Sequence, residues 1–458
     1  MLLDRVFRTF VEQRPFCVMV RATLERMLAT DTIDALFRKQ AQRQYQRDLL
    51  FSSVVEVMAQ VVLQVEPTVL AAYRACQDRL KVSDQALYDK LQSVEPQVSE
   101  SLVRHSYREA AGVLQALKVP PRHWVANLNV KVVDGNLFSL TQHRIKELRT
   151  TWDAPLPGRA LVVWEQRRRL VCDVFLTEDG HASERSLLPA ALNTVQPGDL
   201  WIGDRQFCTT DFLCGIWERR ARFVIRHHAN LRGETLDSLR KSGNDSRGQA
   251  VFEQRFQIAD SHGRPRTLRR ITVQLHKPTR NGDREIHILT NLTAGEALAA
   301  KIADLYADRW TIEVVFLEMQ QTLTCEINTL GYPKAALFAF CIALLVTNAV
   351  SMLKESLRAV HGVKTIDEKV SPYYLSLEIQ KTYDGMMVQI PAPHWSVFAS
   401  MTLAQFAKTL LQLARKLEPS RYPKSKRSPK KPPPKRGRYH NGGHISTFRV
   451  LAKRKTKK

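Results

Sequence analysis

The sequence predicts an α/β protein: a mixed-sheet domain with a β-rich insertion, helical N-terminal and C-terminal regions, and a basic tail. Three observations predict this class. Long apolar-periodic stretches with few glycines fill the first 122 residues. Short β-branched and aromatic runs then follow to residue 292, some with helical patterns between them, and helical periodicity returns afterwards. The regions we expect are 1–122, 123–229, 230–292, 293–330, 331–418 and 419–458.

The charge of the chain limits what it binds. Its 458 residues carry a formal net charge of +24, although 44% hydrophobic and 25% charged residues are ordinary for a folded protein. This excess indicates a polyanionic partner, either nucleic acid or an anionic membrane surface. The seven cysteines are never spaced as a CxxC pair, which disfavours a zinc ribbon or a disulfide framework and favours a reducing compartment. The start of the chain shows no secretory signal.

The N-terminal region contains one candidate for DNA reading. Helical patterns at 66–80 and 84–94 flank a short connection in which Ser83 is placed to cap the second helix. The pair predicts either a helix-turn-helix that presents residues 85–90 to a DNA groove or a plain helical hairpin, which is far commoner.

The middle of the chain is predicted to form a mixed sheet. ALVVWE and RLVCDVFL, joined by the basic segment QRRR, are typical of an antiparallel hairpin. The remaining strand candidates are NVKVVDGNLFSL, DLWIGD, RFVIRH and, in the β-rich insertion, VFEQRFQIA, RRITVQLH and EIHILTNL.

The C-terminal part contains an apolar segment and a basic tail. Residues 335–353 carry no charge, but polar residues interrupt them, so a buried core helix is favoured over a membrane span. Residues 419–458 hold 15 Lys or Arg and no acid, and their prolines predict an extended, mobile arm.

Two aspartates are candidates for metal chemistry. Asp134 in VKVVDGN and Asp204 in LWIGDRQF stand where strands should end, so a rigid edge would present both carboxylates. Mg²⁺ prefers oxygen ligands of this kind. Taken singly, Asp-Gly and Gly-Asp are also ordinary turn signals.

A helix predicted over 301–323 adds further polar groups. Arg309, Glu313 and Gln320 follow Tyr306 at offsets of three, seven and fourteen residues, which places all four in one stripe. A separate apolar face is predicted from Ile302, Leu305, Ile312, Val315, Phe316 and Met319. The alternative without a catalytic role is a solvent-exposed stripe that is stabilised by an Arg309–Glu313 ion pair.

These motifs, DG, then GDR, then YADRWTIEVVFLEMQQ, resemble the DDE transposases of the IS4 type. The resemblance covers about residues 127–330, and Gln320 stands where the family's Tyr, Arg, Glu, Lys signature has lysine. It implies an RNase H-like catalytic domain in which Asp134, Asp204 and Glu313 are catalytic and bind metal. It also assigns DNA contacts to Tyr306 and Arg309, and we add Gln320 and Arg205 as candidates for the same role.

The resemblance further implies two Mg²⁺ ions, which Mn²⁺ could replace, and double-stranded DNA as partner, both as transposon inverted repeats and as target. A homodimeric synaptic complex in the cytoplasm, associated with the bacterial nucleoid and without a membrane partner, is expected. The alternatives are an RNase H-like nuclease that does not join ends and a catalytically inactive DNA-binding protein derived from a transposase.

Overall fold

The structure is a computed structural model that describes residues 5–43, 48–119, 125, 127–138, 140–279, 282–425 and 444–455. A large mixed sheet occupies the middle of the chain, and helices from both ends pack around it.

The α-helices of the described chain are α1 Arg8–Gln13, α2 Pro15–Met27, α3 Thr30–Gln40, α4 Phe51–Val62, α5 Val69–Leu80, α6 Asp84–Ser93, α7 Pro96–Ala116, α8 Leu188–Leu192, α9 Thr210–Glu218, α10 Ala299–Ala307, α11 Trp310–Thr322, α12 Pro333–His361, α13 Val363–Lys369, α14 Pro372–Gln389, α15 Ala392–Ser400, α16 Leu403–Lys416 and α17 Thr447–Lys455. Short 3₁₀ helices span Arg5–Phe7, Lys146–Leu148, Glu184–Leu187, Arg205–Phe207 and Pro419–Arg421.

The strands are β1 Asn129–Leu137, β2 Ala154–Leu156, β3 Arg159–Glu165, β4 Leu170–Thr177, β5 Asp199–Gly203, β6 Arg222–Arg226, β7 Glu234–Thr235, β8 Arg240–Asn244, β9 Ala250–Ala259, β10 Pro265–Gln274, β11 Glu285–Thr290 and β12 His444–Ser446. All eight strands predicted from apolar runs are present. β2, β7, β8 and β12 escaped prediction because they are short or, for β7 and β8, fully exposed, and so show no apolar alternation.

The main sheet has the order β4-β3-β1-β5-β6-β11-β10-β9-β7, with β8 also paired to β9. β1, β5 and β6 are mutually parallel, whereas β1–β3, β3–β4 and β6–β11 are antiparallel. The predicted mixed sheet and the β3–β4 hairpin are therefore confirmed. The strands of the β-rich insertion extend this same sheet, because β11 pairs directly with β6.

Both faces of the sheet are covered. Along β1 and β5, Val132 and Ile202 belong to the large core formed with the helices, whereas Val133 and Trp201 belong to a second core under α8 and α9. This alternation is the period-two pattern of a strand that is buried on both sides.

The helices before and after the sheet form one packed body, since α12 lies against α4 and α7, and α2 against α14, α15 and α16. The predicted core helix corresponds to α12, which is long and apolar enough to cross a membrane, yet 89% of its most apolar window is buried inside the protein. Its Asn348 bonds both backbone groups of Val171 on edge strand β4 and the Ser106 hydroxyl. Asn348, one of the polar residues in this apolar helix, thus satisfies backbone groups at the edge of the sheet.

The helix predicted over 301–323 is in fact two helices, α10 and α11. Between them the amide of Arg309 bonds the carbonyl of Tyr306, and the amide of Ile312 bonds that of Arg309. These are i to i−3 bonds, as in a 3₁₀ turn, and they interrupt the regular α-helical bonding between α10 and α11. The apolar residues still face inward, with Ile302, Leu305, Ile312 and Met319 buried and Val315 and Phe316 half-buried.

The tail differs from the expected extended arm wherever the structure describes it. Tyr422 is buried with its hydroxyl on Glu378, and Pro423 forms a bridge to Val370, so residues 419–425 pack with the helical body. Residues 444–455 form β12, which pairs in parallel with β2, and then α17. The expectation rested on prolines 419, 423, 429 and 432–434; the first two lie in this packed segment, and the others lie outside the described residues.

Candidate active site

Asp134 and Asp204 lie at the same level on neighbouring parallel strands. The register of β1 with β5 ends at Val132 opposite Ile202. Two residues further along both strands come Asp134, still within β1, and Asp204, directly after β5. Because side chains alternate along a strand, both carboxylates share the face of Val132 and Ile202, which the helices cover.

The guanidinium of Arg309 joins the first aspartate to the glutamate of α11. Its Nη2 lies 3.1 Å from Glu313 Oε1, and its Nη1 lies 3.8 Å from Asp134 Oδ2. Only 9% of the Arg309 side chain is exposed, against 38% for Glu313. Burial by itself lowers the pKa of Arg309, but Tyr306 and the three carboxylates raise that pKa overall. One buried cation therefore stands among all three predicted acids.

The phenol of Tyr306 holds the second aspartate. Its hydroxyl donates to Asp204 Oδ1 at 3.2 Å, and the ring is buried. Burial and the neighbouring Asp204 both raise the pKa of Tyr306, so the phenol stays protonated and remains a donor. In this arrangement Tyr306 and Arg309 face the carboxylates and not solvent.

The carboxyl of Asp134 is in an unfavourable environment for its charge. Its pKa is raised from 3.8 to about 6, mainly by burial; Arg309 acts to lower this pKa, and Glu313 and Glu184 act to raise it. The backbone amide of Gly135 is a second favourable partner of Asp134, at 3.1 Å. The site thus holds more negative charge than its own protein groups neutralise, which is a common property of functional sites.

The other two predicted DNA contacts lie nearer the surface. Arg205 follows Asp204 directly in the 3₁₀ helix and is half-buried. Gln320 is exposed on α11, about two turns beyond Glu313.

The carboxylate oxygens of Asp134, Asp204 and Glu313 suit a hard cation such as Mg²⁺, but they do not surround a common point. Within the residues that the structure describes, no three His, Cys, Asp or Glu side chains lie close enough together to hold a metal. The three carboxylates supply the oxygen ligands that Mg²⁺ prefers, and burial leaves Asp134 short of compensating charge. They fit the ion in the chemistry of their oxygens, while Arg309 stands between Asp134 and Glu313 and the three carboxylates do not converge on one point.

Sequence reasoning missed Glu184, which lies on the other side of β1. Gly135 is paired within the strand, opposite Leu161, and is not in a turn. A Cβ atom at Gly135 would overlap the carboxylate of Glu184. Only the fold brings these two residues together, and the sequence around Glu184 showed only a helical pattern.

The helix that carries Glu313 is loosely packed. Only Ile312 and Met319 of α11 are buried, and the large apolar side chains of Trp310, Val314 and Leu317 are exposed. A cavity of about 270 Å³ separates part of α11 from α12 and from the β3–β4 turn. The third carboxylate therefore stands on the least constrained element of the site.

Residues 127–349 match the family model described as the transposase DDE domain. This range contains β1, β5, α10 and α11, and with them Asp134, Asp204 and Glu313. The match supports a DDE transposase. Comparison with curated proteins finds no match.

Proposed function

We propose that this chain is a DDE transposase of the IS4 type, which binds the inverted-repeat ends of an insertion sequence, cleaves there and transfers the 3′ ends into target DNA. One observation carries the proposal. Asp134 and Asp204 lie level on adjacent parallel strands, and Arg309 links Asp134 to Glu313, all inside the region that matches the transposase DDE domain.

The sheet supports an RNase H-like catalytic core. Three antiparallel strands, β4-β3-β1, continue into the parallel strands β5 and β6, with helices on both faces. Asp134 lies in β1, the central strand of these five, Asp204 follows its parallel neighbour β5, and Glu313 is on the later helix α11.

Asp134, Asp204 and Glu313 would hold two Mg²⁺ ions, and Mn²⁺ could replace them. The bound ions would stabilise the entering and leaving oxygens of an in-line attack on a phosphodiester. The chain's part is to present the carboxylates and keep them oriented. Tyr306 restrains Asp204 by its hydrogen bond, and Arg309 offsets part of the negative charge of Asp134 and Glu313.

DNA binding would change the partners of Arg309. A planar guanidinium suits phosphate oxygens as well as carboxylates, and metal at Asp134 and Glu313 would release it toward DNA. The loose packing of α11 would allow this exchange. Arg205 and Gln320 are accessible for further phosphate contacts, while Tyr306 would need to leave Asp204 to reach DNA.

Other parts of the chain would supply affinity. The net charge of +24 favours double-stranded DNA, and contacts to phosphate account for much of such binding. Helices α5 and α6 are a candidate reader of the repeat: Ser83 caps α6 as predicted, and Gln85 and Asp89 are exposed. We expect a homodimer in the synaptic complex and action in the cytoplasm, at the bacterial nucleoid.

The test uses the element's own ends as substrate with Mg²⁺. Asp134→Ala, Asp204→Ala and Glu313→Ala should each abolish cleavage and leave end binding largely intact. Asp211→Ala, which removes an exposed carboxylate in the first turn of α9, is the matched control and should cleave normally. Full cleavage by any one triad variant would refute the assignment.

Strand transfer distinguishes the alternatives. Cleavage without joining of 3′ ends would identify an RNase H-like nuclease. DNA binding without metal-dependent cleavage by the unaltered chain would identify an inactive derivative, a possibility raised by Gln320 at the position of the signature lysine.

A further inference from the structure

Glu184 lies next to Gly135, on the side of β1 opposite Asp134. Its carboxylate fills the space that a side chain at position 135 would need, so Gly135 is the residue type that permits the contact. Gly135 follows Asp134 directly in β1, and the two side-chain positions face opposite sides of the sheet. The Glu184 carboxylate therefore lies against the backbone of β1, on the face of the sheet opposite the Asp134 side chain.

Several contacts hold Glu184 in this position. Arg159 on β3 places its Nη1 3.6 Å from Glu184 Oε1, and its Nε donates to the carbonyl of Gly180 at 2.9 Å. The hydroxyl of Ser183 accepts from the amide of Arg185 at 3.3 Å and caps the 3₁₀ helix in which Glu184 is first. Less than a quarter of either the Arg159 or the Glu184 side chain is exposed, so neither is a freely solvated surface charge.

Glu184 belongs to the same electrostatic environment as the predicted metal ligands. The charge of Glu184 raises the pKa of Asp134, although burial, Arg309 and Glu313 have larger effects. Burial raises the pKa of Glu184, Arg159 lowers it, and the charge of Asp204 raises it. Ionised Glu184, Asp134, Asp204 and Glu313 face two guanidinium groups, those of Arg159 and Arg309. Negative charge exceeds positive charge among these six groups, which favours the binding of divalent cations.

We propose that Glu184 is a positioning residue of the active site, whose charge strengthens divalent-cation binding by Asp134 and Asp204 without touching the reacting atoms. The proposal rests on the proposed function, since it assumes that these aspartates bind metal. Residues outside the immediate ligand set commonly tune metal affinity in this way. The competing explanation is that Glu184 only pairs with Arg159 to hold the loop before α8.

Mn²⁺ binding by the full chain without DNA, measured by electron paramagnetic resonance titration, separates the two explanations. Glu184→Gln keeps the size and removes the charge, and it should weaken Mn²⁺ binding about tenfold. Glu184→Asp should recover part of the affinity. Glu368→Gln, at an exposed carboxylate on α13, is the matched control and should bind like the unaltered chain.

Asp134→Asn distinguishes failure of this inference from failure of the proposed function. If Asp134→Asn loses Mn²⁺ binding while Glu184→Gln binds normally, Glu184 has only a structural role and the inference is wrong. If Asp134→Asn also binds normally, the proposed metal site itself is wrong. Loss in both, with partial recovery in Glu184→Asp and equal thermal melting of the Glu184 variants, supports the inference.

Discussion

Replacing Asp134 by Asn should stabilise the metal-free protein at neutral pH while it removes a proposed metal ligand. The pKa of Asp134 is raised from 3.8 to about 6, mainly by burial, so the folded chain carries this charge at a cost. Asn has nearly the same size and no charge. A buried carboxylate that is kept for metal binding therefore lowers the stability of the metal-free protein.

The size of the effect follows from linkage. A pKa of about 6 in place of 3.8 corresponds to about 3 kcal/mol, because one pKa unit is worth about 1.4 kcal/mol. The folded state binds the Asp134 proton more tightly than the unfolded state does. The contribution of Asp134 to stability is therefore greatest below pH 3.8 and is lost as pH rises through about 6. Arg309 loses one partner in the variant but keeps Glu313, so we expect a gain of about 2 kcal/mol.

Urea unfolding in the presence of a chelator measures this gain. Asp134→Asn should have the higher free energy of unfolding at pH 7.5, and the difference should shrink between about pH 6 and pH 4 as Asp134 becomes protonated. Asp211→Asn, at an exposed acid, should show no such pH-dependent difference. A variant that is equally or less stable than the unaltered chain at pH 7.5 would show that Asp134 is not a buried, undercompensated charge.

Four further predictions concern the signature helix and the tail. Arg309→Gln should strengthen Mn²⁺ binding without DNA and lower cleavage, because the guanidinium and a cation compete for the same oxygens; weaker Mn²⁺ binding would contradict that competition. Gln320→Lys should strengthen end binding or leave it unchanged in a filter assay, and a marked loss of cleavage would assign the position another role. Truncation after Ser425 should weaken binding to unrelated DNA and reduce the salt dependence of that binding. The slope of log K against log salt should fall by about 0.9 for each phosphate that the tail would neutralise. An unchanged slope would indicate that the tail does not touch DNA. Truncation after Glu418 should in addition lower the melting temperature, because it removes the buried Tyr422.

Local patterns were sufficient for most elements of the sheet. Each predicted strand from 129 to 290 carries β-branched or aromatic residues between turn residues, and each is present. The Ser83 cap and the hairpin with four basic and polar turn residues are equally local, and both are present. Strand ends drew attention to Asp134 and Asp204, and the resemblance to DDE transposases added Glu313; all three stay predictions as catalytic acids.

The sequence by itself determined the order of the elements, the basic charge and the candidate acids. Only the tertiary structure decided that the helix is interrupted at Arg309, that its guanidinium is buried among the carboxylates, and that Gly135 makes room for Glu184. It also decided that the insertion extends the main sheet and that β12 returns to pair with β2. These features depend on contacts between segments that are tens to hundreds of residues apart. Propensity and periodicity describe only neighbours along the chain, so they carry no information on which distant groups share a buried charge or a strand edge.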